Sequence, residues 1–230
     1  MVRKLEGEAA SFEELRAGFT AVVSHELRTP LARLLALLET ALLPDADSNT
    51  LVEQARQEVE QIRELVDDIL FLSELETGRE VVSLGATRAL PILQEVVEDL
   101  SASAERAGVS ISVEGDAELT VPIRPRMLRV VAENLAENAI RYSGDGTSFR
   151  FSLEQRDGAV FLVASDGGAG VPEEDLPRLF ERFYRADRAR TSRGTGLGLA
   201  IVKHIVTSAG GTVEADVPEG GGLEIRCVFP

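Results

Sequence analysis

The chain has 230 residues, enough at about 150 residues per domain for one large domain or a compact domain with a smaller appendage. Its 39 acidic against 24 basic side chains leave a formal net charge of -15, which repels nucleic acid and anionic lipid. A single cysteine, Cys227, excludes an internal disulfide and a four-cysteine metal site, and no apolar run approaches the ~20 residues that span a bilayer. As it stands the chain is expected to be soluble and cytoplasmic.

The composition changes near Gly78: leucine and charge dominate before it, glycine and apolar alternation after it. Phe12, Leu15, Phe19, Val22 or Val23, Leu27, Leu31, Leu34 and Leu38 recur at three- and four-residue steps. Ala55, Val59, Ile62, Val66 and Ile69 repeat the pattern beyond a turn over Pro44-Asp45-Ala46-Asp47-Ser48-Asn49, where Ser48 or Asn49 is available as an N-cap. The spacing predicts a helical hairpin with one apolar stripe per helix. Two helices cannot bury both stripes on each other. The expected solution is a homodimer whose antiparallel hairpins pair into a four-helix bundle, with packing onto the rest of the same chain as the alternative. The residues around Gly78 are the only linker, so domains of 1–77 and 78–230 are expected.

Beyond Arg79, helical and strand patterns alternate. Leu90 to Arg106 reads as a helix with Pro91 in its first turn. Val109 to Val113 reads as a strand and Arg126 to Tyr142 as a second helix. Ser148 to Leu153 and Ala159 to Ser165 form a hairpin turned at Arg156-Asp157-Gly158. A third helix runs from Gly198 to Gly210-Gly211, and Thr212 to Val217 and Leu223 to Val228 close the chain as strands. Such a mixture predicts an α/β sandwich, a mixed sheet covered on one face by helices.

His25 falls opposite the apolar stripe of the first helix and so faces solvent. Pro30 in the same helix removes the N–H that would bond the Glu26 carbonyl and should loosen the turn beside it. A neutral imidazole can attack a γ-phosphate without a strong base, and its second ring nitrogen then needs an acceptor, for which Glu26 is adjacent. Thr29 lies one turn on, on the same face. The plainer alternative is a surface histidine beside an incidental proline.

Lys4 and Lys203 are the only lysines, so no glycine-rich loop ending in Lys-Ser or Lys-Thr exists. Four other elements suit a nucleotide. Asn134 and Asn138 share one helix face, where amide oxygens can ligate Mg²⁺. Asp166-Gly167-Gly168-Ala169-Gly170 follows an apolar strand, and a carboxylate there can accept the exocyclic amine of adenine while glycines let backbone come close. Leu179 to Tyr184 is a short aromatic cluster. Gly194-Thr195-Gly196-Leu197-Gly198-Leu199 runs into a helix whose free N–H groups suit phosphate. From Arg178 to Arg193 six arginines stand against only Glu181 and Asp187, a positive lobe suited to a mobile lid over polyphosphate. Taken singly, each element also reads as an exposed amide pair, a tight turn or local packing. His204, inside the last helix, reads as an ordinary helix residue.

In this order, the box Ser24-His25-Glu26-Leu27-Arg28-Thr29-Pro30-Leu31 and the four nucleotide elements resemble the sensor histidine kinases of two-component systems. These carry a HisKA-type dimerisation and phospho-acceptor domain followed by a GHKL-type ATPase domain. The resemblance covers the chain from about Phe12 to Pro230. It implies a dimeric four-helix bundle followed by a Bergerat-type α/β sandwich that binds ATP and Mg²⁺. His25 would accept the γ-phosphoryl, with Glu26 and Thr29 beside it. Asn138 would ligate Mg²⁺ with Asn134 as its partner, Arg141 would stand near the phosphates where lysine is usual, and Tyr142 would pack near the nucleotide. Asp166 would bind adenine above Gly168 and Gly170, with Gly167 in place of the usual asparagine. Arg185 and the run Gly194, Thr195, Gly196, Leu197, Gly198 and Leu199 would complete the site, Gly196 and Gly198 hinging the lid. The phosphoryl group would pass to an aspartate on a response-regulator receiver domain, which the protein would also dephosphorylate. No nucleic acid is expected as a partner, and any membrane anchor would belong to a sensor region absent from this chain, making this the cytoplasmic part of a cell-membrane receptor. A GHKL ATPase of another kind leaves the box around His25 unexplained. A non-catalytic scaffold leaves His25, Asn138, Asp166 and Gly196 unexplained.

Overall fold

A computed structural model of the chain describes residues 2–44, 46–80, 82, 85–186 and 194–230, with side chains from residue 21 onward. Arginines 188, 190 and 193, expected in a lid, and the side chains of Phe12, Leu15 and Phe19 lie outside the described residues. The chain forms two compact units, Met1–Ile69 and Leu70–Pro230.

The first unit consists of helix α1 (Val2–Ala41) and most of helix α2 (Ser48–Glu76). Pro30 lies inside α1 without ending it. Asp47, rather than Ser48 or Asn49, caps α2: its carboxylate accepts the Thr50 N–H at 3.3 Å and the Thr50 hydroxyl at 2.6 Å. An N-cap must precede the first helical residue, and Ser48 is already helical. The hairpin buries Ala55 and Leu65 and half-buries Val23, Leu27, Leu34 and Ile62. A neighbouring row, Val22, Leu31, Leu35, Leu38, Val59 and Val66, stays exposed.

The second unit begins with the last turns of α2, where Leu72 and Leu75 are buried and Glu76 pairs with Arg182. It continues through β1 (Thr87–Arg88), α3 (Ala89–Arg106), β2 (Ser110–Gly115), β3 (Thr120–Val121), α4 (Pro125–Tyr142), β4 (Ser148–Arg156) and β5 (Ala159–Asp166). A 3₁₀ turn (Leu176–Arg178), α5 (Gly198–Ser208), β6 (Thr212–Asp216) and β7 (Glu224–Phe229) complete it. The main sheet has the order β2-β4-β5-β7-β6, with β2 and β4 parallel and the other pairs antiparallel. β1 and β3 form a separate two-stranded ribbon that no periodicity announced. Asp157 and Gly158 both take positive φ, as a two-residue hairpin turn demands.

Period-two alternation puts Phe149, Phe151, Leu153, Val160, Leu162, Ala164, Ile225, Cys227 and Phe229 on one buried face of the sheet. Helices α3, α4 and α5 cover that face with Leu93, Val96, Met127, Leu128, Val131, Leu135, Ile201 and Ile205. Burial pushes the Cys227 thiol up to about 12, which leaves it protonated and unreactive. Among the described residues, no helix is long and apolar enough to cross a membrane.

Candidate nucleotide and phospho-acceptor site

The three residues expected at the phospho-acceptor position, His25, Glu26 and Thr29, lie together on α1. The His25 side chain is 74% exposed, and its Nδ1 lies 3.3 Å from Glu26 Oε1. Thr29 Oγ donates to the His25 carbonyl at 3.4 Å, one turn away. The carboxylate meets Nδ1 and leaves the opposite ring nitrogen clear of it.

In the second unit the site grows out of strand parity. Val160, Leu162 and Ala164 point to the helix-covered face, so Asp166, two residues further at the strand end, points the same way just beyond the core. It is half-buried rather than solvent-facing. Its Oδ1 accepts the N–H of Gly168 at 2.8 Å and of Leu223 at 3.3 Å. Burial raises the Asp166 carboxyl above the ordinary carboxylate range, and the two backbone N–H groups oppose the rise. The Ser143 hydroxyl beside it also opposes the rise, although no hydrogen bond of ordinary geometry joins the two.

The backbone around this carboxylate is tight. A Cβ on Gly168 would stand 2.7 Å from Ser143 Cα, and one on Gly170 would stand 2.6 Å from the Gly222 carbonyl oxygen. Gly222 has φ +87, and a Cβ there would overlap the Asp166 carbonyl oxygen. The turn from Pro218 to Leu223 therefore walls one side of the site. Sequence reasoning missed that role, although Gly220-Gly221-Gly222 was a signal for it. A Cβ on Gly167 would meet nothing closer than 3.6 Å, so sterics do not require glycine there.

Helix α4 brings Asn134, Asn138 and Tyr142 to one face at four-residue steps, with Arg141 at its edge. Asn134 Nδ2 donates to the Val130 carbonyl at 2.8 Å, which turns its Oδ1 toward Gly198 at the start of α5. Asn138 is half-buried one turn on. Tyr142 and Arg141 are exposed, and a Cβ on Gly194 would stand 2.8 Å from the tyrosine hydroxyl and 2.9 Å from the guanidinium. Arg185 is half-buried, next to the last described residue before 187. Thr195 Oγ accepts the Leu197 N–H at 3.2 Å, and the start of α5 leaves its first N–H groups without intrahelical acceptors. Leu197 is wholly buried, so it offers a ligand only its main chain, and Leu199 is half-buried.

The Phe183 N–H donates to the Gly196 carbonyl at 2.9 Å, and both residues hold positive φ, 62° and 70°. His204 is half-buried; burial lowers its pKa, a hydrogen bond with the Leu75 carbonyl opposes this, and Arg182 adds to it. It faces the end of α2 rather than this site.

No group of three or more His, Cys, Asp or Glu side chains among the described residues could cage a metal. The amide oxygens of Asn134 and Asn138 fit Mg²⁺ instead, since that ion accepts one or two protein oxygens and takes the rest from phosphates and water.

Comparison with known proteins agrees with this geometry. Residues 15–78 match the His Kinase A (phospho-acceptor) domain, and residues 123–230 match the histidine kinase-, DNA gyrase B- and HSP90-like ATPase family. The chain is 32% identical over 230 residues to the sensor-like histidine kinase SenX3 of Mycolicibacterium smegmatis, over 98% of this chain and 60% of that one. Histidine kinase AdeS of Acinetobacter baumannii superposes with a TM-score of 0.73 at 25% identity, over 89% of this chain and 96% of that one. ShkA in complex with AMPPNP gives 0.68 at 28% identity, over 91% of this chain and 45% of that one. The chain belongs to the histidine kinase family, as a helical hairpin followed by an α/β ATPase domain. It spans 60% of the length of SenX3.

Proposed function

We propose that this chain is the transmitter core of a two-component sensor kinase, in which residues 1–77 dimerise and carry the phosphoryl group and residues 78–230 bind Mg-ATP. His25, the ring nitrogen away from Glu26 leading, attacks the γ-phosphorus. A nitrogen–phosphorus bond forms, the bond to the bridging oxygen breaks, and ADP leaves with the electron pair. Glu26 holds the proton on Nδ1 and offsets the imidazolium charge as it develops. Asp166 takes the adenine amine, Arg141 and the first N–H groups of α5 hold the phosphates, and Tyr142 and Arg185 close the site. Asn138 and Asn134 would hold Mg²⁺, which when bound neutralises charge on the phosphates.

The phosphoryl group then passes to an aspartate of a response-regulator receiver domain. Thr29, one turn from His25, orients the water that hydrolyses the regulator's aspartyl phosphate, releasing inorganic phosphate and the free carboxylate. The exposed row on the hairpin supports a homodimer, because monomeric proteins seldom leave such a contiguous apolar strip to water. The working protein is the cytoplasmic part of a membrane receptor.

The observation that carries this reading is the exposed His25 ring with Glu26 on its Nδ1 side, in a chain that also holds a half-buried carboxylate, Asp166, held by backbone N–H groups among close-packed glycines. Incubation with γ-labelled ATP tests it. Label that is lost in acid and kept in alkali marks a phosphohistidine; an acid-stable label or none refutes the assignment.

A further inference from the structure

Ser143 has no role in the chemistry above, yet its side chain is placed where a buried polar group is costly. It caps the C-terminus of α4, its N–H donating to the Ala139 carbonyl at 2.9 Å. The residue is only 8% exposed, and its Oγ meets no hydrogen-bond partner among the described residues. A buried hydroxyl left in that state destabilises the fold, a penalty alanine would avoid. The hydroxyl lies beside the Asp166 carboxylate, whose rise it opposes, and the Ser143 backbone packs on Gly168, whose N–H holds Asp166.

The neighbouring carboxylate is already oriented. Oδ1 is occupied by the Gly168 and Leu223 N–H groups, so Oδ2 remains as the open acceptor. The base-pairing edge of adenine presents a donor, the 6-amino group, directly beside an acceptor, ring nitrogen 1. An open carboxylate oxygen next to a hydroxyl with one hydrogen to give is the complement of that pair. Guanine offers the reverse polarity, an oxygen at position 6 beside a protonated nitrogen 1, and would set its oxygen against the carboxylate.

We propose that the Ser143 hydroxyl donates, directly or across one water, to nitrogen 1 of adenine, so that Asp166 and Ser143 together read the base. This rests on the ATP-binding reading above. The hydroxyl, which touches Asp166 without a hydrogen bond of ordinary geometry, is then the second half of a two-point reader, given a well-aligned acceptor when the nucleotide is bound.

Calorimetric titration of the whole chain with Mg-ADP and with Mg-1-deaza-ADP, in which that nitrogen is a C–H, tests the inference. Wild type should bind ADP about tenfold more tightly than 1-deaza-ADP, the worth of ~1.4 kcal/mol. Ser143→Ala should lose that tenfold for ADP and bind 1-deaza-ADP as wild type does. Equal affinities of wild type for the two nucleotides overturn the inference without need of a variant. A Ser143→Ala protein weakened equally toward both overturns it too, because that is the mark of a merely structural residue. Wild type that binds neither nucleotide removes the ATP reading itself, a different result from equal binding.

Discussion

The backbone N–H of Phe183 donates to the carbonyl of Gly196, joining the residues on either side of the segment that precedes α5. The bond holds both in left-handed backbone, where phenylalanine pays about 1–2 kcal/mol and glycine almost nothing. A Cβ on Gly196 would stand 2.9 Å from both the Cα and the carbonyl carbon of Phe183. Gly196→Ala should therefore break the tie and weaken ADP binding at least ~10-fold, while far-UV circular dichroism stays that of the wild type. Wild-type affinity in this variant would mean that the bond is incidental to the site.

Asp166→Asn keeps an oxygen for the Gly168 and Leu223 N–H groups but turns a donor toward the adenine amine. Nucleotide binding should be lost while the fold survives. The sign follows from linkage: the carboxyl is raised by burial, so its neutral form favours folding at low pH, and that benefit is lost as pH rises through the raised value. A permanently neutral asparagine should melt at or above the wild-type temperature near pH 7. In wild type, ADP affinity should fall as pH drops through the raised value, before ordinary carboxylates near pH 4 titrate. Affinity flat across that range in wild type would contradict Asp166 as the acceptor.

His25→Gln should abolish phosphorylation and leave ADP binding unchanged, because the exposed side chain belongs to the hairpin unit while Asp166 and the N–H groups that hold it belong to the other. Filter-bound label and a parallel ADP titration separate the two functions. Persistent labelling would move the acceptor elsewhere.

Thr29→Ala should keep His25 phosphorylation and slow regulator dephosphorylation at least ~10-fold, about 1.4 kcal/mol of barrier. The Thr29 hydroxyl bonds the His25 carbonyl at a long 3.4 Å, a contact weak enough to yield to a water. Equal losses in both assays would mark it as structural only.

The helices and most strands were legible because each is long enough for its period to register: α4 shows seven buried residues at helical spacing, and β4 and β5 alternate cleanly. β1 and β3 hold two residues each, too few for any period, and are strands only because they pair with each other. The cap of α2 was misplaced by one or two residues because Asp47, Ser48 and Asn49 are all good caps and only the backbone decides among them. At the site, residues bearing a charge, an amide or a glycine motif stood out in sequence. Ser143 and Leu223 did not, because their parts depend on which backbone lies beside Asp166, a tertiary fact.

The ATPase-family match begins at residue 123, yet the sheet and its cover do not. β2 supplies the edge partner of β4, and α3 lays Leu93, Val96 and Ala104 into the core beside α4. A fragment starting at Ile123 would open that core to water and leave the β4 edge unpaired, a template for aggregation. Expressed alone it should be insoluble or molten, whereas a fragment from Leu70 should fold cooperatively. The smallest autonomous unit of this chain is thus set by hydrophobic closure, and it begins well ahead of residue 123 and of the first nucleotide motif at Asn134.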